Sequence, residues 1–524
     1  MRFPQKYQIF FTLAFLGICL YFSYPEIYHY PPQSTHVWRQ TDGAGIALNY
    51  HFAKMEFLRP QIMNVCNDDG YTVSEFPILY YLSAVYYRLF GVEEGVLRIL
   101  SLVFVFWGLL SLHRLSYLLI KEATMAICLP LLVFSSPLLA YYSFNFLPDP
   151  AALGLTFCAW YYYYQWRKHD QIRYLSLFLF TTLLAGLLKV ISLISLIALL
   201  IIWLIQKFRI AAFNAKTSFT ISKSYGHFIC LSFPLLLVGG WLYWTHQYNS
   251  QHSGYFFAGI LPLWSLVSEA QTLIFKKLVT KWSWVYFHPM IHGVVGVAFI
   301  YFLGKRKAQN PILWWGMGLL FLANVAVYLL WFKQFNHHDY YAISLFVFPV
   351  LVLLNLGYEL QRKQPQLLQH WVFKLSLIGF TCFHIFYAKQ ELIFRYKVDS
   401  NYKAGINPNF YETAALQDWL QRKQIRYEDK VLSLPDVSPN ISLYYYRLRG
   451  WTNYNVKESW VPYADRRTYT AKSIRYLIQE KDCRYLLINQ RSYAERPEFK
   501  DFLDYPLGDF KNSIFLFDLR PYRE

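Results

Sequence analysis

The chain has 524 residues, of which 55% are hydrophobic, 20% aromatic and only 16% charged. That is too little charge to cover a soluble protein of this length, and apolar runs able to cross about 30 Å of hydrocarbon recur along it. The net charge of +18 does not mark a nucleic-acid binder. Lys and Arg gather instead in short connectors at 167–173, 207–223, 304–307 and 361–363, the bias of cytoplasmic loops.

In chain order, the apolar runs predict a polytopic α-helical membrane protein of about 11 spans. They fall near 7–24, 96–119, 123–142, 151–166, 174–188, 190–206, 227–245, 290–304, 312–332, 342–358 and 370–388. Arg2 and Lys6 precede the first run and no small-x-small cleavage site follows it, so a retained anchor is expected. With the N-terminus in the cytoplasm, an odd count puts the C-terminus outside, together with 25–95, 143–150, 246–289 and 333–341. The first of these reads as a structured loop. From Asp42, residues Ile46, Tyr50, Ala53 and Phe57 recur at helical spacing, and 77–91 is a second, aromatic-rich helix. Both are expected along the membrane surface, and 246–289 has a similar character.

After about residue 396 the pattern changes. Helices at 412–423 and 470–481, a capped helix opening at 438, and strands at 430–435, 484–489 and 513–519 predict a small extracytoplasmic α/β domain. No glycine-rich phosphate loop follows its strands. The expected organisation is thus a membrane domain, 1–395, with its structured first loop at 25–95, and a tail domain, 396–524. The seven cysteines are scattered and form neither a metal spacing nor a disulfide framework.

Ionisable residues cluster on the side read as extracytoplasmic. Asp42 has a plain reading as a helix N-cap, yet Arg39 and His36 lie three and six residues before it. Glu75, in SEFP, returns toward the membrane within the same loop. Asp149 stands between two prolines, where a cap with Pro150 at the first helical position is the plain reading. Three carboxylates on one rim would offer a general base and a divalent-cation site. In KQFNHHDYY, the residues Lys333, His337, His338 and Asp339 form either a solvated turn or a phosphate-binding group. Neither an HExxH motif nor an i, i+4 histidine pair accompanies them. Lys189, at the end of the fifth span, either snorkels to the interface or binds phosphate.

Taken together, HVWRQTDGAGIALNYHF, SEFPILYYLSAVYYRLFG, the LPDP turn and NHHDYY resemble bacterial protein mannosyltransferase-like enzymes of the GT-C class, relatives of protein O-mannosyltransferases and lipid A aminoarabinose transferases. The resemblance runs to about residue 390, and SPNISLYYYRLRGWT (438–452) resembles the tail domain of some bacterial members. It implies a sugar donor on a polyprenyl phosphate, an acceptor outside the cytoplasm, and Asp42 as the catalytic residue, expected to act as base in an inverting transfer, with a bacterial inner membrane as the expected location. It implies no nucleic-acid partner. Many eukaryotic relatives have adjacent acidic residues where this chain has Asp42-Gly43. Arg39, Lys189, Lys333, His337 and His338 are expected to face the donor phosphate; Glu75, Asp149 and Asp339 are the acceptor-side or metal-site carboxylates, with a divalent ion conceivable at Glu75, Asp149 and His338.

Two other classes fit parts of the pattern. A lipid-linked sugar transporter would carry its ionisable residues near the bilayer midplane and show internal repeats, whereas the clusters here lie at one face. A scaffold would use its tail, for instance the aromatic stretch 450–467, to bind a partner or glycan.

Overall fold

The computed structural model describes residues 4–65, 68–208, 226–254, 256, 259–305, 310–398, 406–436, 438–453 and 469–523. Most of the basic connectors at 207–223 and 304–307, Cys66 and most of the aromatic stretch 450–467 therefore lie outside the described residues. Within them the chain forms two compact units. The first comprises 1–25, 99–242 and 259–393, and the second 26–98, 243–258 and 394–524.

Helix occupies each of the eleven apolar runs, and six described helices are long and apolar enough to cross a membrane unaided. A seventh arises if Ser268–Tyr286 and Pro289–Leu303, bent by 99°, count as one span. The departures from regular spans have local causes. The run at 123–142 splits into Ala123–Phe134 and Pro137–Tyr142, because the residue before a proline resists the helical conformation. Ser136 caps the second piece by accepting from the Leu139 N–H at 3.3 Å. The Ile172–Leu188 helix stops at Lys189, whose backbone is extended, and a 3₁₀ turn leads into Leu193–Lys207. The run at 342–358 is entered through a 3₁₀ segment, Asp339–Phe346, before the Val347–Lys363 helix. Gly95–Ile120 and Asp149–His169 approach so closely that a Cβ on Gly108 would stand 2.3 Å from the Gly154 Cα, the small-residue contact by which membrane helices pack.

In the second unit, the Val37–Phe52 helix begins five residues before Asp42, so Asp42 lies inside the helix and is not its N-cap. Gln40 explains the earlier start. Its amide donates to the Gln33 and Thr35 carbonyls at 2.8 Å each and accepts from the Gln33 N–H at 3.2 Å, folding the preceding chain against the first turn. The helix is also buried along most of its length, whereas Ile78–Phe90 exposes Leu82, Val85, Leu89 and Phe90 on one face, as a helix at a lipid boundary does.

The tail builds a five-stranded sheet from β1 (Lys430–Leu434), β2 (Gly450–Trp451), β3 (Cys483–Ile488), β4 (Pro506–Phe510) and β5 (Ile514–Asp518), in the order β2-β1-β3-β5-β4. β1 pairs in parallel with β2 and β3, while β5 runs antiparallel to β3 and β4. The first loop joins this sheet: Asn64 bridges Gly450 in parallel, and the Val65 N–H donates to the Gly450 carbonyl at 2.8 Å. A Cβ on Gly450 would lie 1.8 Å from the Val431 carbonyl oxygen. Gly450→Ala is therefore expected to destabilise the protein by at least the upper end of the roughly 1–3 kcal/mol typical of overpacking. A thermal melt of the purified full-length variant checks this, and a wild-type transition would contradict it.

Candidate active site

The second unit holds a buried carboxylate and a nearly buried one around one guanidinium. Asp42 projects from the Val37–Phe52 helix with 2% of its surface exposed, and its Oδ1 accepts from Asn440 Nδ2 at 2.7 Å. Arg39, one turn earlier on the same helix, forms an ion pair with Glu75. The Glu75 carboxylate also accepts from the Ser74 hydroxyl and from the Tyr80 phenol, and the Arg39 guanidinium lies 5.7 Å from the Phe256 ring centroid. Gly43 lets Tyr80 in: a Cβ there would meet the ring at 2.8 Å and its oxygen at 3.0 Å.

This arrangement separates the two acids electrostatically. Burial pushes the Asp42 carboxyl up to about 7; the Arg39 charge and the Asn440 hydrogen bond pull the other way, and the Glu75 charge adds to the rise. Burial alone would also raise Glu75. There the direct contact with Arg39 and the hydroxyls of Ser74 and Tyr80 outweigh it and hold the carboxyl at about 2. Near neutral pH, Glu75 is a fixed anion and Asp42 exchanges a proton.

The first unit brings together the other predicted residues. Asp149 lies in the first turn of its helix, buried, with Lys189 Nζ 2.7 Å from its Oδ1. The Lys189 ammonium sits 4.2 Å from the Tyr341 ring centroid and 5.3 Å from that of Tyr340. Asp339 is fully buried and accepts from the Tyr142 hydroxyl at 2.7 Å. His338 Nδ1 lies 3.1 Å from the Tyr340 hydroxyl, and His337 Nε2 lies 3.0 Å from the Asn336 amide. Lys333 and His337 are exposed on the turn, while His338 is half-buried. The same unit contains a largely apolar cavity of about 320 Å³ between Tyr286, Phe321, Tyr328 and Phe346.

Among the described residues, no three His, Cys, Asp or Glu side chains group as metal ligands would. Glu75 also fits a cation poorly, since three donors already occupy its carboxylate. Ser74 and Tyr80 carried no separate signal in the sequence, although both flank Glu75 in the loop. Asn440 had none: it stands 398 residues from its partner.

The fold that these helices and this tail make is shared with solved glycosyltransferase structures, and six of the described helices are long and apolar enough to cross a membrane. Among solved structures, it is similar to ArnT from Cupriavidus metallidurans bound to undecaprenyl phosphate, with a TM-score of 0.59 and 11% identity over 98% of each chain. It is also similar to arabinofuranosyltransferase AftD from Mycobacteria, with a TM-score of 0.54 and 12% identity, covering 98% of this chain but 40% of AftD. No protein-family model and no curated protein sequence matches the chain.

Two outcomes follow from the site. An Asp whose folded pKa is raised binds its proton more tightly in the native than in the unfolded state. Its contribution to stability is thus full below about pH 4 and is lost as pH rises toward 7. Asp42→Asn escapes that loss, so its stability advantage over wild type should grow between pH 5 and pH 8 by about 2–3 kcal/mol. Thermal melts at the two pH values measure the difference, and an advantage that is the same at both would refute the burial of an ionisable Asp42. Gly43→Ala should force Tyr80 from Glu75 and lower stability by about 1–3 kcal/mol; an unchanged melt would show that the ring has room to move.

Proposed function

We propose that the chain is a glycosyltransferase that moves a sugar from a polyprenyl-phosphate donor to an acceptor outside the cytoplasm, with Asp42 as general base. The observation that carries this reading is the buried Asp42 carboxyl, held by Asn440 beside the Glu75–Arg39 ion pair, where burial pushes it up to about 7. A base whose pKa lies near the working pH combines a large deprotonated fraction with enough basicity to accept a proton. The similar ArnT structure holds undecaprenyl phosphate, and AftD is an arabinofuranosyltransferase, which supports a lipid-linked donor.

In the proposed reaction, the acceptor hydroxyl gives its proton to Asp42 as its oxygen bonds to the anomeric carbon. The bond from that carbon to the phosphate oxygen breaks, and the phosphate leaves with the electron pair. Direct displacement inverts the anomeric centre. Retention would need a nucleophilic Asp42 and a second carboxyl able to donate a proton, and Glu75, held at about 2, is a poor acid for that role. In the first unit, Lys189 with His338 has the chemistry to receive a phosphate, and the apolar cavity suits an isoprenoid chain. The proposed setting is a bacterial inner membrane with the chemistry on the extracytoplasmic side.

The test compares polyprenyl-phosphate sugars and surface glycans by mass spectrometry in cells carrying the wild-type chain or Asp42→Asn at equal protein levels. Loss of one glycan modification is expected, with its lipid-linked donor building up. In a purified assay, turnover should fall roughly a hundred- to ten-thousand-fold. Glycan profiles that match wild type, in a background where deletion does change them, would reject Asp42 as the base and favour a transporter or scaffold.

A further inference from the structure

We infer that Asn440, contributed by the tail, is a positioning residue for Asp42: it holds the carboxylate by one oxygen and directs the other toward the acceptor. This rests on the reading of Asp42 as the base. Both groups are buried, Asn440 wholly, and the amide nitrogen donates to Asp42 Oδ1 at 2.7 Å. The amide cannot be turned round without loss, because its own oxygen accepts from the Asn64 backbone N–H at 3.0 Å. With that oxygen facing an N–H, the NH₂ group has to face Asp42.

The surrounding chain fixes Asn440 independently of any substrate. Its backbone N–H donates to the Ser438 hydroxyl at 3.1 Å, and Ser438 in turn donates to Asp436 through its own N–H at 2.8 Å. The Ser442 N–H closes the turn onto the other Asp436 oxygen at 2.6 Å, at the start of the short Ile441–Tyr446 helix. Asn64 is tied down as well, donating to the Pro439 carbonyl at 3.0 Å. Charged and titratable groups also reach Asp42 from the other elements: Arg39 on its own helix, Glu75 from the loop before Ile78–Phe90, and Tyr80 from that helix, packed on Gly43. Asn440 adds to this set a neutral donor that does not titrate. It favours the ionised carboxylate without adding charge to the pocket.

In the reaction, the proton of the acceptor hydroxyl passes to Asp42 Oδ2 while Oδ1 keeps the amide hydrogen bond. The acceptor oxygen bonds to the anomeric carbon, and the phosphate departs with its electrons. The tail is then part of the catalytic apparatus.

The experiment uses the purified full-length protein in lipid nanodiscs. Infrared difference spectra follow the protonated carboxyl band with pH, and subtraction of Asp42→Asn isolates the signal of Asp42. In Asn440→Ala, the Asp42 titration should move up by about one pH unit, because the lost donor had favoured the charged form. The acidic limb of the turnover profile should rise equally, with turnover down about tenfold and KM for the lipid donor within about twofold. Asn440→Asp preserves the side-chain shape and gives a second reading if Asn440→Ala fails to fold; it too should move the titration up. An unchanged Asp42 titration in a folded Asn440 variant overturns the proposal. If the titration moves as expected but the wild type transfers no sugar from lipid-linked donors, the contact is supported and the glycosyltransferase reading fails.

Discussion

The second unit depends on a shortage of positive charge. Asp42 is buried and Glu75 nearly so, and Arg39 is the cation beside them. Two such carboxylates with one guanidinium reach neutrality only if one carboxylate holds a proton. Direct contact decides which one stays ionised. Glu75 takes the guanidinium together with two hydroxyl donors, and Asp42 receives a single neutral amide. The proton therefore resides on Asp42 at low pH and leaves near neutrality. The proposed role as base and the destabilisation have the same origin, since the burial that raises the Asp42 pKa is the burial that penalises its ionised form.

That division requires the first loop and the tail to fold as one body. The loop enters the tail's sheet at Asn64 beside Gly450, whose missing side chain lets β1 and β2 close up at Val431. Tyr427 donates to Asn49 at 2.6 Å from the tail side, while Tyr444 donates to the buried Glu94 at the end of the loop. These contacts pack the tail against the loop that carries Asp42. The first unit uses another device for its lysine. A break between two helices frees the Lys189 backbone from helical geometry, and the side chain is then held between a carboxylate and two aromatic faces.

Sequence was informative where structure follows from local chemistry. Apolar length located helices in all eleven runs, and alternation with capping residues located three of the five strands and the main tail helices. β2 was missed because two residues carry no period, and β4, PLGDF, because proline and glycine obscure one. The start of the Val37–Phe52 helix was misplaced because Asp42 is a good capping residue in isolation, whereas Gln40 recruits the chain before it through three hydrogen bonds. The first loop and the tail fall in one compact unit. Arg39, Asp42 and Glu75 were legible because they sit in one loop. Asn440 was not, since its role exists only once a parallel bridge has brought a distant turn against the helix.

Gly43 shows how the same constraint reaches into the sequence. The resemblance implies an acidic pair in many eukaryotic relatives where this chain has Asp42-Gly43. Here a side chain at position 43 would occupy the space of the Tyr80 ring, whose hydroxyl helps to hold Glu75 ionised. An acid at that position would also bring a third carboxylate to a pocket with one guanidinium, and the extra negative charge would drive the Asp42 pKa higher still. The chain instead draws its second carboxylate from Glu75, beyond the turn that precedes the Ile78–Phe90 helix, where Arg39 and two hydroxyls can reach it. The glycine beside the acid is therefore a consequence of where the second acid comes from.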